Sequence, residues 1–167
     1  MTTPMQTEVL RALCLLPSGL YVMTSAFEGK RAGVLVKSVQ ACADEPLLVS
    51  VAARKGHWIE PMIRDSHCFA ICRIDPNDKL VVRKFMGPPL PGDHGDPFDA
   101  VATETLATGA PVIKRSILAL DCEVVRHFDL EADHEIYVGQ VVAGKVYAAA
   151  DSNGQLPPAA TPPHRVA

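Results

Sequence analysis

Arg54-Lys55-Gly56-His57 places two fixed cations, a glycine and a histidine just before Trp58 and a helix start. Backbone N–H groups at such a start carry partial positive charge, and with Arg54 and Lys55 beside them they could hold a phosphate. The same residues also suit a solvated basic loop, since exposed Lys and Arg are the norm. The segment alone leaves both readings open. Two Asp-His pairs, Asp93-His94 and Asp133-His134, carry metal-ligating residue types. A metal site needs several convergent ligands, and no further ligand pattern accompanies these pairs, so no resident metal is expected. His67, His127 and His164 read as surface or edge residues. The five cysteines, at 14, 42, 68, 72 and 122, include no C-x-x-C pair and sit mostly in apolar segments. They read as reduced, buried thiols of a cytoplasmic protein.

Several familiar chemistries are excluded by missing motifs. No G-x-G-x-x-G follows the first strand and no Walker loop is present, so neither a Rossmann domain nor a P-loop enzyme is supported. A G-x-S-x-G elbow is also missing. The 167 residues suit one domain able to bury a real core, with 48% hydrophobic and 21% charged residues. A net charge of −3 argues against a dedicated nucleic-acid binder, which usually shows a basic face. No apolar run approaches the ~20 residues of a membrane span, and Met1 to Glu8 lacks the pattern of a secretory signal.

The elements that must position these residues read mainly as strands. Val9, Ala12, Leu13 and Leu16 recur at helical spacing, which predicts a helix over Thr7 to Leu16, stopped by Pro17-Ser18-Gly19. Tyr21 to Phe27 is β-rich. Glu28-Gly29-Lys30 is a turn signal, so Ala32 to Ala43 is expected to return as a hairpin strand. Glu45-Pro46 breaks it, and Leu47 to Ala53, apolar on both faces, suits a central barrel strand. Trp58, Ile59, Met62 and Ile63 mark one face of a short helix whose first turn tolerates Pro61. Phe69 to Ile74 is a further strand, and Asp78 to Met86 a second short helix.

Leu118, Leu120, Cys122 and Val124 alternate with Asp121 and Glu123, which predicts a strand with two distinct faces. Glu131-Ala132-Asp133 turns the chain into a last core strand, Ile136 to Val142. The Pro- and Ala-rich tail 151–167 cannot build a core, which leaves one domain over residues 1–150. The long loop Gly87 to Asp99 is expected to be functional. Together these elements describe a closed or nearly closed antiparallel barrel, an arrangement that removes sticky sheet edges.

In this order the segments resemble the flavin reductase-like family, the FMN-binding split-barrel proteins related to flavoredoxin. Four blocks carry the resemblance, which runs from about Pro17 to Val146. They are Gly33 to Gln40 running on to Asp44 to Val51; Lys55 to Trp58 leading to Met62 to Ser66 and Phe69-Ala70; Phe98 with Thr108 to Val112; and Asp133-His134-Glu135-Ile136-Tyr137-Val138-Gly139-Gln140-Val141.

The resemblance implies a mainly β, antiparallel Greek-key split barrel with a few short peripheral helices. It implies a homodimer binding FMN near the subunit interface, with FAD the other flavin open, and NAD(P)H as co-substrate. On this pattern Val36, Lys37, Ser38 and Val39 lie along the isoalloxazine, and Ala53, Arg54, Lys55, His57 and Trp58 hold the ribityl phosphate. His134 matches the family histidine that orients the hydride donor or helps move a proton. The Gly87 to Asp99 loop is expected to border the flavin.

Two departures stand out. Lys37 stands where the family commonly has a small hydroxyl or amide residue, and Ser38 where an aromatic is frequent. His57 and Ile59 replace a basic residue and a threonine. Strand alternation puts Lys37 on the face opposite Val36 and Ser38. If Lys37 reaches the flavin, its charge favours a reduced, anionic ring; otherwise it is a surface lysine. The activity implied is an NAD(P)H-dependent flavin reductase passing hydride from nicotinamide to flavin and feeding a partner monooxygenase. The alternative is a flavin-binding electron carrier or sensor without NAD(P)H oxidase activity. A third option is a split barrel that binds haem or nothing.

Overall fold

A computed structural model describes residues 4–87 and 95–147. The chain is mainly β, with elements in the order α1 (Pro4–Cys14), β1 (Tyr21–Phe27), β2 (Lys30–Val36), β3 (Ser38–Asp44), β4 (Leu47–Arg54), α2 (Ile59–Ser66), β5 (Cys68–Arg73), α3 (Lys79–Phe85), β6 (Thr103–Glu104), β7 (Val112–Ile113), β8 (Leu118–Asp129) and β9 (His134–Val146). The tail 151–167 and the middle of the Gly87 to Asp99 loop, with His94, lie outside the described residues, as does His164.

Seven strands form one antiparallel sheet in the order β2-β1-β5-β8-β9-β4-β3. β1 and β2 are joined at Glu28-Gly29, where both φ values are positive, 47° and 76°. That is the geometry of a two-residue primed turn, whose twist matches the strands, and Phe27 faces Lys30 across it. The expected single strand from Ala32 to Ala43 is in fact two. The ladder breaks at Lys37, and β2 and β3 lie at opposite edges of the sheet. The sheet curls so that these edges are joined by the chain rather than by a ladder, giving a split barrel.

Inside the barrel Met23, Val34, Val36, Val51, Phe69 and Ile71 form one core cluster. α2 closes it with Ile59 and Ile63, both nearly fully buried. Each such side chain contributes roughly 1.5–3 kcal/mol by leaving water. A second cluster covers the outer face of β1, β5 and β8, where α3 and the segment from Asp96 to Ile113 pack Phe85, Phe98 and Val112 over Val22 and Cys72. Arg31 fastens that cover, donating to Asp96 at 2.6 Å and lying over the Phe98 ring at 5.2 Å. Arg31 is six residues from Lys37, about 20 Å along an extended strand. The described end of the Gly87 to Asp99 loop is therefore anchored far from the β2–β3 break.

Three other expectations need correction. α1 begins three residues earlier than predicted and ends at Cys14, followed by turn bonds from Leu15 and Leu16 to Ala12 and Leu13. Cys14 and Cys42 are exposed, whereas Cys68, Cys72 and Cys122 are buried; all five thiols are free. Burial pushes the thiols of Cys72 and Cys122 up to about 11 and about 12. Asp121, expected on a polar outer face, is fully buried because the 106–113 segment covers it. Its carboxylate accepts from the backbone N–H groups of Ala107 and Thr108 and from the Thr108 hydroxyl. A bulge between Asp121 and Cys122 also resets the alternation.

Gly139 is a packing residue. A Cβ there would stand 2.6 Å from the Phe69 ring and 2.8 Å from the Cys122 Cβ, both in the core. Gly139→Ala is expected to destabilise the fold by about 1–3 kcal/mol in urea unfolding. Gly109→Ala, which meets open space, is expected to stay within about 0.5 kcal/mol of the parent.

Candidate functional site

The ladder registers place specific residues on one outer face of the sheet. Ser38 pairs with Ala52, Ala52 with Ile136, and Ile136 with Phe128. The neighbouring row runs Gln40, Ser50, Val138. Two residues further along, Arg54 faces His134. Alternation sends the other residues of β4, Val49, Val51 and Ala53, into the core.

A cleft of ≈ 890 Å³ opens on this face. Ser50, Ala52 and Ile136 form its floor, the end of α1 gives a wall of Leu13, Cys14 and Leu16, and Lys37 to Gln40 form its edge. β3 is the last strand of the sheet, so the backbone groups on its outer side have no ladder partner.

The residues singled out from sequence divide clearly. Lys37, Ser38 and Val39 line the cleft. Val36 and Ala53 do not: their side chains are 4% and 2% exposed and belong to the barrel core. The alternation expected between Val36, Lys37 and Ser38 fails because the strand breaks there: Val36 is buried in the core, while Lys37 and Ser38 are exposed and both line the cleft. Arg54 is exposed and makes no close ion pair among the described residues, though its charge, after the His134 hydrogen bond, helps to hold the Asp133 carboxyl low. Lys55 pairs with Asp129, whose carboxyl it holds below the usual range by hydrogen bonding. The Lys55 N–H donates to the Asp133 carbonyl at 3.0 Å, which ties the 54–58 loop to the β8–β9 turn.

His57 has a different role from the one its neighbours suggest. Its Nδ1 accepts the Ile59 N–H at 3.2 Å, so it helps start α2. Burial pushes its pKa down, favouring the neutral ring. Nδ1 being the acceptor, Nε2 carries the proton, and that buried atom has no partner among the described residues. Trp58 is the N-cap residue of α2, 39% exposed.

His134 is half-exposed and its Nδ1 lies 2.9 Å from Asp133 Oδ1. That hydrogen bond holds the Asp133 carboxyl below its usual range. Behind His134, on the core side of β9, buried Glu135 bonds both His127 Nε2 and the Tyr137 hydroxyl at 2.6 Å. Burial first, then the Glu135 bond, pushes the Tyr137 phenol well above its ordinary value. His67 and His127 are exposed, as expected. Among the described residues no group of three or more His, Cys, Asp or Glu could hold a metal ion.

Sequence reasoning missed Gln40, Ser50, Ala52, Ile136 and the α1 wall. The β4 signal was present in the small residues Ser50 and Ala52 between Val49, Val51 and Ala53. The wall depends on where α1 docks, which no periodicity reports.

A family model described as flavin reductase like domain matches residues 13–159. The chain belongs to that family. This flavin reductase-like chain is 27% identical over 131 residues to an NADPH-flavin oxidoreductase of Streptomyces viridifaciens, covering 78% of the chain and 67% of the relative. It is 25% identical over 143 residues to diflavin flavoprotein A 1 of Synechocystis sp., covering 85% of the chain and 24% of the relative. The chain thus spans about a quarter of the length of the diflavin flavoproteins it matches. Among solved structures, an NADH:FAD oxidoreductase of Streptomyces globisporus superposes with a TM-score of 0.73 at 23% identity, covering 88% of this chain and 87% of that one. Among the described residues no helix is long and apolar enough to cross a membrane.

The lowered His57 pKa gives a signed expectation. The unfolded chain binds a proton near the ordinary 6.5, while the folded ring resists it to lower pH. Stability is then fully present above 6.5 and falls as pH drops towards the lowered folded value. Urea unfolding between about pH 6.5 and pH 5 is expected to show this slope, and His57→Gln to flatten it.

Proposed function

We propose that the seam cleft binds a flavin nucleotide, FMN before FAD, and that the protein is an NAD(P)H-dependent flavin reductase. The observation that carries this reading is the cleft itself: an apolar floor, a sheet edge with free backbone donors and acceptors, and the Arg54–His134 pair beside it, in a chain of this family. An isoalloxazine is flat and apolar on its faces and polar along one edge. Ala52 and Ile136 suit the face, while the backbone of Ser38 to Gln40 suits the edge. Arg54 is the better-placed cation for the phosphate, being exposed without a close ion pair among the described residues, whereas Lys55 is paired with Asp129. Val36 and Ala53 belong to the core behind the cleft rather than to its lining.

A bound flavin supplies the two-electron chemistry that side chains lack. The chain's own residues bind, orient and manage protons. With Nδ1 donating to Asp133, a neutral His134 leaves Nε2 as an acceptor towards solvent, able to orient a nicotinamide amide or carry a proton. The reduced product serves free flavin or another acceptor, and a partner monooxygenase is the natural consumer. We further propose a cytoplasmic homodimer with the cleft near its interface. The exposed apolar residues of α1 and Phe128 beside the cleft floor support that arrangement.

The test is steady-state oxidation of NADH and of NADPH with added FMN or FAD. Turnover above the protein-free rate is expected. Flavin that is retained and reduced by dithionite, but by neither nicotinamide, would instead identify an electron carrier. Arg54→Ala is expected to weaken flavin binding about 10-fold, the loss of one charge-assisted hydrogen bond. His134→Ala is expected to leave flavin affinity intact while lowering kcat/KM for the nicotinamide roughly 10-fold or more. Titration and stopped-flow reduction separate the two effects.

A further inference from the structure

We propose that Lys37 sets the redox poise of a flavin held in the seam cleft by favouring its reduced, anionic form. The proposal rests on the flavin reading of the cleft and names what tunes that site.

Among the described residues Lys37 is the one charged residue that lines the cleft, and no carboxylate lines it. Among the described residues Lys37 has no ion pair and no side-chain hydrogen bond. Its backbone is fixed: it is the single residue joining β2 to β3, and its carbonyl accepts the Gly19 N–H at 3.2 Å. The other polar lining groups around it, Ser18, Ser38, Gln40 and Ser50, are neutral, and among the described residues Cys14 is the only other titratable one. Further along the same sheet face stand Arg54, a second cation, and His134, whose neighbour Asp133 is occupied by the histidine itself. Lys37 therefore brings a positive charge to the cleft with no carboxylate among the described lining residues to pair with it, whereas the Arg54 charge is shared with Asp133.

Reduction of an isoalloxazine by two electrons, with one proton taken from water, leaves one negative charge on the ring. An uncompensated cation beside the ring stabilises that product relative to the uncharged oxidised ring. Lys37 is exposed to solvent, so screening keeps the preference moderate, roughly three- to tenfold in relative affinity.

The experiment measures dissociation constants for oxidised FMN and for dithionite-reduced FMN under anaerobic conditions at one pH. Wild type is compared with Lys37→Gln, Lys37→Ser and Lys37→Arg, each checked for an unchanged thermal midpoint. The ratio of oxidised to reduced dissociation constants is expected to fall roughly three- to tenfold in the Gln and Ser variants, and to be kept by Arg. Tenfold corresponds to a midpoint potential lower by about 30 mV for a two-electron couple. A ratio unchanged in both neutral variants overturns the proposal. So does equal weakening of both redox forms, which would make Lys37 a plain affinity contact. Wild-type protein that takes up neither FMN nor FAD overturns the flavin reading itself and this proposal with it.

Discussion

One residue, Lys37, joins β2 to β3, and one residue is too few to turn a strand back on itself. The tightest common hairpin needs two loop residues. β3 therefore cannot pair with β2 and is carried across to the other edge, where it pairs with β4. Much of the molecule follows from that break. The sheet must curl for a single residue to span its two edges, which makes a barrel with a seam. The seam leaves the outer side of β3 unpaired, and it places Lys37 and Ser38 together on the cleft although they are sequence neighbours.

The barrel can afford such a seam because its other strands are over-determined by burial. β1 and β5 are covered on both faces, one by the barrel interior and α2, the other by α3 and the 96–113 cover. Where polar groups enter this packing they are satisfied. Asp121 receives three hydrogen bonds, the Thr24 hydroxyl donates to the Pro111 carbonyl at 2.5 Å, and Ser25 donates to the Cys68 carbonyl at 2.8 Å. By contrast, surface ion pairs such as Lys55–Asp129 add about 0–1 kcal/mol each. Their effect is positional: that pair turns Lys55 towards Asp129 at the end of β8, while Arg54 makes no close ion pair among the described residues.

The site shares its strands with the core, and alternation divides the labour. On β9, Glu135 and Tyr137 anchor the strand inside while His134 and Ile136 face outwards; on β4, Val51 and Ala53 anchor while Ala52 and Arg54 face outwards. The motif residues that make the family recognisable accordingly mix two tasks. Gly139 is required by the Phe69 ring packed against it, whereas His134 has no packing duty and stands half-exposed beside Asp133.

The sequence by itself determined the strand content, the Glu28-Gly29 hairpin, the α2 face of Ile59 and Ile63, and the family, because these depend on local periodicity, turn chemistry and ordered motif blocks. It also pointed to the Arg54 to Trp58 loop and to His134. Tertiary structure alone decided the rest. Period-2 alternation could not show that Ala32 to Ala43 breaks at Lys37, since the break comes from barrel closure rather than from any local breaker residue. Nor could it show that the face carrying Asp121 would be covered by a segment 13 residues earlier in the chain. That Lys55 pairs with Asp129, 74 residues away, was equally out of its reach. Such pairings are set by ladder register and by docking, and neither leaves a periodic trace in the residues it joins.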